Sequence, residues 1–167
     1  LLERESIIEQ LSKGPQDSPY YRYCLADVYL QWAFIRIKFG DYFSAAYELN
    51  KAYKLLDENI RLHPTFTPNL KGMGLLRAMI GSMPDKYKWI TGMIGMQGSV
   101  QQGIQDMTTV FNTACTNPEY NYLKAESVFM LSLIYLNLYQ GDAREKVLEI
   151  YFNKIKEDAC FSSPLII

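Results

Sequence analysis

The stretch YLQWAFIRIKFGDYFSAAYELNKAYKLLDENI, Tyr29 to Ile60, decides the fold. It reads as one helix, a tight break at Gly40-Asp41-Tyr42, and a second helix packed back on the first. In the second helix Tyr42, Ala45, Ala46, Leu49, Ala52, Tyr53, Leu56 and Ile60 recur at three- and four-residue steps, which puts them on one stripe. Glu48, Lys51, Lys54, Asp57 and Glu58 fall mostly on the other side, where water is expected. The preceding stretch, Leu25 to Phe39, is apolar around most of its circumference, as expected of a helix buried on more than one side. Gly40 should end it, because glycine takes the left-handed backbone at a helix C-terminus at little cost. Asp41 should then cap the next helix by accepting a backbone N–H.

These residues resemble the tetratricopeptide repeat. That family has a small residue in its first helix, a glycine and an aromatic at the turn, and two alanines in its second helix. Ala33, Gly40, Tyr42, Ala45 and Ala52 match those positions over about one repeat of roughly 34 residues. The repeat's closing proline is absent at its place, since the helix runs on to Arg61 before His63-Pro64. The order of features from Phe66 to Met107 is also similar to the middle of large, divergent tetratricopeptide proteins of the mitochondrial outer membrane and the bacterial cell envelope. The resemblance implies an antiparallel helix-turn-helix array whose first helices line a concave face. It makes Tyr21, Gln31 and Arg36 candidates for contact with a bound peptide.

Outward from the hairpin the chain reads as further helices. Glu3 to Lys13 is a short amphipathic helix, with Ile7, Ile8 and Leu11 inward, stopped by Gly14-Pro15. Ser18 caps the next, with Pro19 at its first position, where a missing N–H costs nothing. Thr67-Pro68 opens a helix over Asn69 to Ser82, and Met83-Pro84-Asp85 breaks it. Lys86 to Ile94 continues as a short helix. Gly95 to Gly98 is a turn. Ser99 caps a helix to about Cys115, with Val100, Ile104, Met107, Val110, Phe111 and Ala114 on its stripe. Asn117-Pro118 is a break before a long apolar helix, Tyr120 to Gln140. Gly141-Asp142 then repeats the Gly40-Asp41 device ahead of a closing helix, Ala143 to Asp158. Gly40, Gly98 and Gly141 thus each separate a strongly apolar helix from a more amphipathic one, at spacings longer than the family's period. No segment alternates apolar and polar residues long enough for a strand. The expected fold is all-α, a single domain over 1–167 of seven or eight antiparallel helices in a tetratricopeptide-like superhelix.

The composition bounds function. Net charge is −1, so there is no electrostatic footprint for nucleic acid or an anionic membrane. The chain of 167 residues holds 13 tyrosines, which suits a thick helical core or a tyrosine-lined groove. No run of about 18 uninterrupted apolar residues occurs, so no transmembrane segment is expected. Cys24, Cys115 and Cys160 are far apart with no Cys-x-x-Cys pair, which argues against a metal site and against a disulfide framework. The sequence starts at Leu1 without an initiator Met and stops on Pro164-Leu165-Ile166-Ile167, so it reads as the front part of a longer protein, of unassigned compartment.

Nothing in the pattern demands catalysis or a cofactor. His63 is the one histidine and sits at a helix end, where such a residue commonly meets the last carbonyls. Gly72-Met73-Gly74 lacks the third glycine of a dinucleotide fingerprint, because Arg77 stands there, and no Gly-Lys-Ser or Gly-Lys-Thr marks a phosphate loop. The glycines from Gly72 to Gly103 suit close helix crossings. Six of the seven methionines fall between Met73 and Met107. They form either an adaptable core or a hydrophobic groove with Tyr87 and Trp89 at its rim. Asp27, Arg36 and Arg77 lie in apolar helices, and each needs a partner or a groove. The expected function is a non-enzymatic protein–protein interaction scaffold using the concave face of stacked hairpins, with Tyr21, Gln31, Arg36, Arg77, Tyr87 and Trp89 as partner-binding candidates. The alternative is a carrier of a small apolar or lipidic ligand in region 70–107.

Overall fold

In a computed structural model, the structure describes residues 2–85, 95–139, 141, 145, 148, 149, 151 and 153. Among these there are six α-helices and no strand: α1 Leu2–Ser12, α2 Pro19–Lys38, α3 Tyr42–Leu62, α4 Asn69–Ser82, α5 Val100–Thr116 and α6 Leu123–Asn137. A 3-10 turn, Pro118–Tyr120, precedes α6. The helix expected over 86–94 lies outside the described residues. So does most of that expected over 143–158, although Glu145, Leu148, Glu149, Tyr151 and Asn153 are helical. No described helix is long and apolar enough to cross a membrane.

The chain forms two compact units, Leu1–Met73 and Gly74–Ile167. The first is built on the α2–α3 hairpin. Ser18 caps α2, its hydroxyl accepting from the Tyr20 N–H at 3.3 Å, and Pro19 sits in the first turn. At the other end Gly40 takes a φ of +77°. Its N–H donates to the Ile37 carbonyl at 3.1 Å and the Asp41 N–H donates to the Arg36 carbonyl at 2.9 Å. This pair of bonds is the Schellman closure that a left-handed glycine permits. Asp41 then caps α3 by accepting from the Ser44 N–H at 3.3 Å. A hydrogen bond from the Ser44 side chain, followed by this backbone one and by Arg36, holds the Asp41 carboxyl below its ordinary range against the effect of burial.

Ala26, Ala33, Ala45 and Ala52 are all buried. Each pair is seven residues apart, so one alanine seam runs along each helix. Leu25, Tyr29, Leu30 and Leu56 complete the hairpin core. Gly72 of α4 brings its backbone onto Leu30 and Leu56, where an added Cβ would stand 3.0 and 2.9 Å from their methyls. The stripe is narrower than expected on one side. Tyr42 and Ala46 are exposed, and so are Phe34, Ile35 and Phe39 of the helix expected to be buried all round. Glu48, expected in water, is buried. In α1, Ile7 is exposed and Ile8 and Leu11 only half-buried, where an inward stripe was expected.

The second unit packs Leu75 and Ala78 of α4, Ile104, Met107 and Phe111 of α5, and Val128, Leu131, Ile134 and Tyr135 of α6 into one core. Ser99 caps α5, accepting from the Gln102 N–H at 3.1 Å. Gly103 lies against α4, where a Cβ would stand 2.7 Å from the Ala78 methyl. Among the described glycines only Gly40 and Gly95 have positive φ. Gly98 does not repeat the Gly40 device. It is small because the Arg77 backbone lies against it, with the Cα only 2.5 Å from where a side chain would begin. Gly141 does not repeat it either, since its φ is not positive; Asp142 lies outside the described residues.

Candidate functional site

The first unit carries a groove of about 740 Å³ among α1, α2 and α3. Tyr29 and Arg36, seven residues apart on α2, face it from one side. Ser44, Tyr47, Glu48 and Lys51, at three- and four-residue steps on α3, face it from the other. Arg4 enters from α1.

At its floor lies Glu48, whose side chain is 3% exposed. Arg4 Nη2 donates to both its oxygens, at 2.7 and 2.6 Å. Arg36 Nε lies 3.4 Å from Oε1 of the same carboxylate, and Arg36 Nη1 donates to Asp41 at 2.7 Å. The Arg4 guanidinium is also 5.4 Å from the Tyr29 ring centre and 6.0 Å from that of Trp32, within cation–π range. A buried carboxylate is tolerated only when paired, and here two cations serve it. The Nε atoms of both Arg4 and Arg36 are buried without a hydrogen-bond partner.

Above this floor Lys51 Nζ stands 4.7 Å from the Tyr47 ring centre and 5.2 Å from that of Tyr29. Hydrogen bonding to Tyr47, followed by the pull of both rings, pushes its pKa up against the effect of burial. The ammonium stays charged. Of the groove's rings, Phe43 is 95% exposed and Tyr47 is exposed as well; Phe39 and Tyr42, at the adjoining α2–α3 turn, are also exposed.

The expected site residues separate. Arg36 lines this groove. Tyr21 lines a smaller hollow of about 230 Å³ with Leu11, Pro15 and Cys24, next to the α1–α2 turn. Burial there, with Asp27 adding to it, raises the Cys24 thiol pKa, the opposite of what a nucleophile needs. Gln31 is exposed and donates to Asp27 at 3.1 Å. Asp27 in turn meets Lys71 at 3.0 Å, the partner from another helix that its sequence context required. Arg77 belongs to the second unit and donates to Asp106 at 2.6 Å. Tyr87 and Trp89 lie outside the described residues.

No family model, curated protein or solved structure matches the chain.

The groove residues that sequence reading passed over are Arg4, Phe43, Tyr47, Glu48 and Lys51. Tyr47 and Lys51 carried a signal in their i,i+4 spacing. Glu48 carried none, because a carboxylate on an α3 face rich in charge reads as solvated. Several glycines of the Met-rich region sit in close crossings, Gly74 against Gly103 and Asp106 and Gly81 against Ser99 and Val100, but Gly95 does not: nothing lies within 4 Å of it, and its φ of +73° is what requires glycine. Met73, Met96 and Met107 are buried. No group of three or more His, Cys, Asp or Glu is placed to hold a metal among the described residues.

Proposed function

We propose that this chain is a non-enzymatic interaction module whose first unit receives a segment of a protein partner in the α1–α2–α3 groove. The observation that carries this is the pair of exposed rings on the groove, Phe43 and Tyr47, 95% and 59% exposed, with Phe39 and Tyr42 of the adjoining α2–α3 turn 80% and 68% exposed. Large apolar side chains left together in water mark interaction surfaces, and aromatics supply much of the energy at such interfaces. The alanine seam and the Gly40 closure support a tetratricopeptide-like hairpin, in which helices present side chains for an extended or helical peptide. The charged groups support binding over chemistry, since Glu48 is engaged by two arginines and Lys51 is held between two rings.

The reading is tested by placing a photo-crosslinking residue at Tyr47 and repeating the capture with Phe43→Ala. A partner recovered with the parent chain and lost with the variant, at unchanged helix content, is the expected result. Equal recovery from both chains would count against the groove.

A further inference from the structure

We infer that the floor of the groove is a guanidinium-binding pocket, filled by the chain's own Arg4 and open in its absence to an arginine of a second polypeptide. The inference rests on the reading above, that the groove accepts a protein segment, and names the side chain it accepts. The pocket has the parts that guanidinium recognition requires. Glu48 offers both carboxylate oxygens to one nitrogen of Arg4, at 2.7 and 2.6 Å. Tyr29 and Trp32 supply ring faces at 5.4 and 6.0 Å. A planar, weakly hydrated cation suits such a box better than an ammonium does.

The occupant is loosely held everywhere else. None of residues 3–12 is fully buried, and Ile7 of α1 is 46% exposed. Yet Arg4 sends a side chain that is only 12% exposed down to the carboxylate. A helix docked by its apolar face would show the reverse. Nor does Arg4 fit the pocket fully: only one of its terminal nitrogens reaches Glu48 and its Nε is buried without a partner, while Arg36 Nε stays 3.4 Å from Oε1 whichever arginine enters. An arginine entering along another line can present two nitrogens to the two oxygens, the stronger fork geometry. Lys51 and Phe43 line the same groove beside Glu48 and would meet the flanking residues of the incoming segment.

A tethered occupant acts at an effective concentration of millimolar order, so a free peptide competes poorly until it is removed. The test uses the full chain and a fluorescent peptide with the sequence of residues 2–12. Its arginine is kept, or replaced by lysine or alanine. Chain Arg4→Ala is expected to bind the arginine peptide about 10-fold or more tighter than the parent chain does. That affinity should drop about 10-fold with the lysine peptide and disappear when Glu48→Gln is added. Binding of the alanine peptide as tight as that of the arginine peptide would overturn the inference. If that binding were still weakened by Phe43→Ala, the groove reading would survive alone. No binding of any peptide to a folded Arg4→Ala chain would also overturn it, leaving the groove to the crosslinking test. Should Arg4→Ala not fold, hydrogen exchange on the parent chain decides. Saturating arginine peptide must speed exchange of the α1 amides, and unchanged exchange refutes displacement.

Discussion

The side-chain amide of Asn59, on α3, donates to Oδ1 of Asn69, at the start of α4, at 2.6 Å, and both residues are 0% exposed. The same nitrogen donates to the Pro19 carbonyl at 2.7 Å. One buried amide therefore joins the first turn of α2 to α3 and α4 inside the first unit. Removing it leaves a buried acceptor on each side. Asn59→Ala is expected to destabilise the fold by about 1–3 kcal/mol in urea unfolding. A change below a few tenths would show that the Pro19 and Asn69 acceptors find other donors.

Gly103 and Gly40 are small for different reasons, and alanine at each separates them. At Gly103 a Cβ would press on the Gly74 carbonyl, the Ala78 methyl and, at 2.8 Å, the Ala78 nitrogen, all belonging to a packed helix. Gly103→Ala should cost about 1–3 kcal/mol as overpacking. At Gly40 nothing lies within 4 Å, and the cost is the φ of +77° alone. Gly40→Ala should cost about 1–2 kcal/mol, through the α2–α3 turn, with no effect on the α4–α5 crossing. Circular dichroism melts of the two variants and their double mutant should add, since the sites share no contacts.

Asp106 lies under α4 beside Gly74, and burial raises its pKa although Arg77 pulls the other way. The folded state therefore keeps a proton at pH values where the unfolded chain has lost it. Stability from this group is fully present below the ordinary carboxylate value of 3.8 and is lost as pH climbs through the raised one. Urea midpoints measured as pH rises from 3.8 should show this downward contribution, and Asp106→Asn should flatten it. An unchanged slope in the variant would place the titration elsewhere.

Phe43 contributes almost nothing to the fold, being 95% exposed. Phe43→Ser is expected to change stability by less than about 0.5 kcal/mol, as exposed positions do. Phe111, fully buried against Tyr151 with ring centres 5.1 Å apart, is its counterpart. Phe111→Ala should cost about 3–5 kcal/mol. Thermal unfolding of the two variants side by side checks both values. A strongly destabilised Phe43→Ser would mean that this ring is part of the core.

The helices were legible wherever a local device sets them. Ser18-Pro19, Gly40-Asp41, Ser99 and Asn117-Pro118 mark boundaries because each satisfies specific backbone groups. The α5 stripe was read correctly at Ile104, Met107, Val110, Phe111 and Ala114, since an amphipathic helix covered on one side leaves that trace. What could not be read was long-range. Glu48 is buried because Arg4, 44 residues earlier, reaches it, and no periodicity reports such a partner. Tyr42 and Phe43 lie at the exposed start of α3, where an apolar residue type says nothing about whether a neighbour covers it. The groove was half visible for the same reason: Arg36 stood out as a charge in an apolar helix, whereas Lys51 and Glu48 looked like ordinary surface.

The uncovered rings from Phe39 to Tyr47 bear on how the molecule behaves when crowded with its own kind. A net charge of −1 gives copies almost no mutual repulsion. Ring-to-ring contact at the hairpin tip is therefore expected to lower the concentration at which clear solutions turn cloudy.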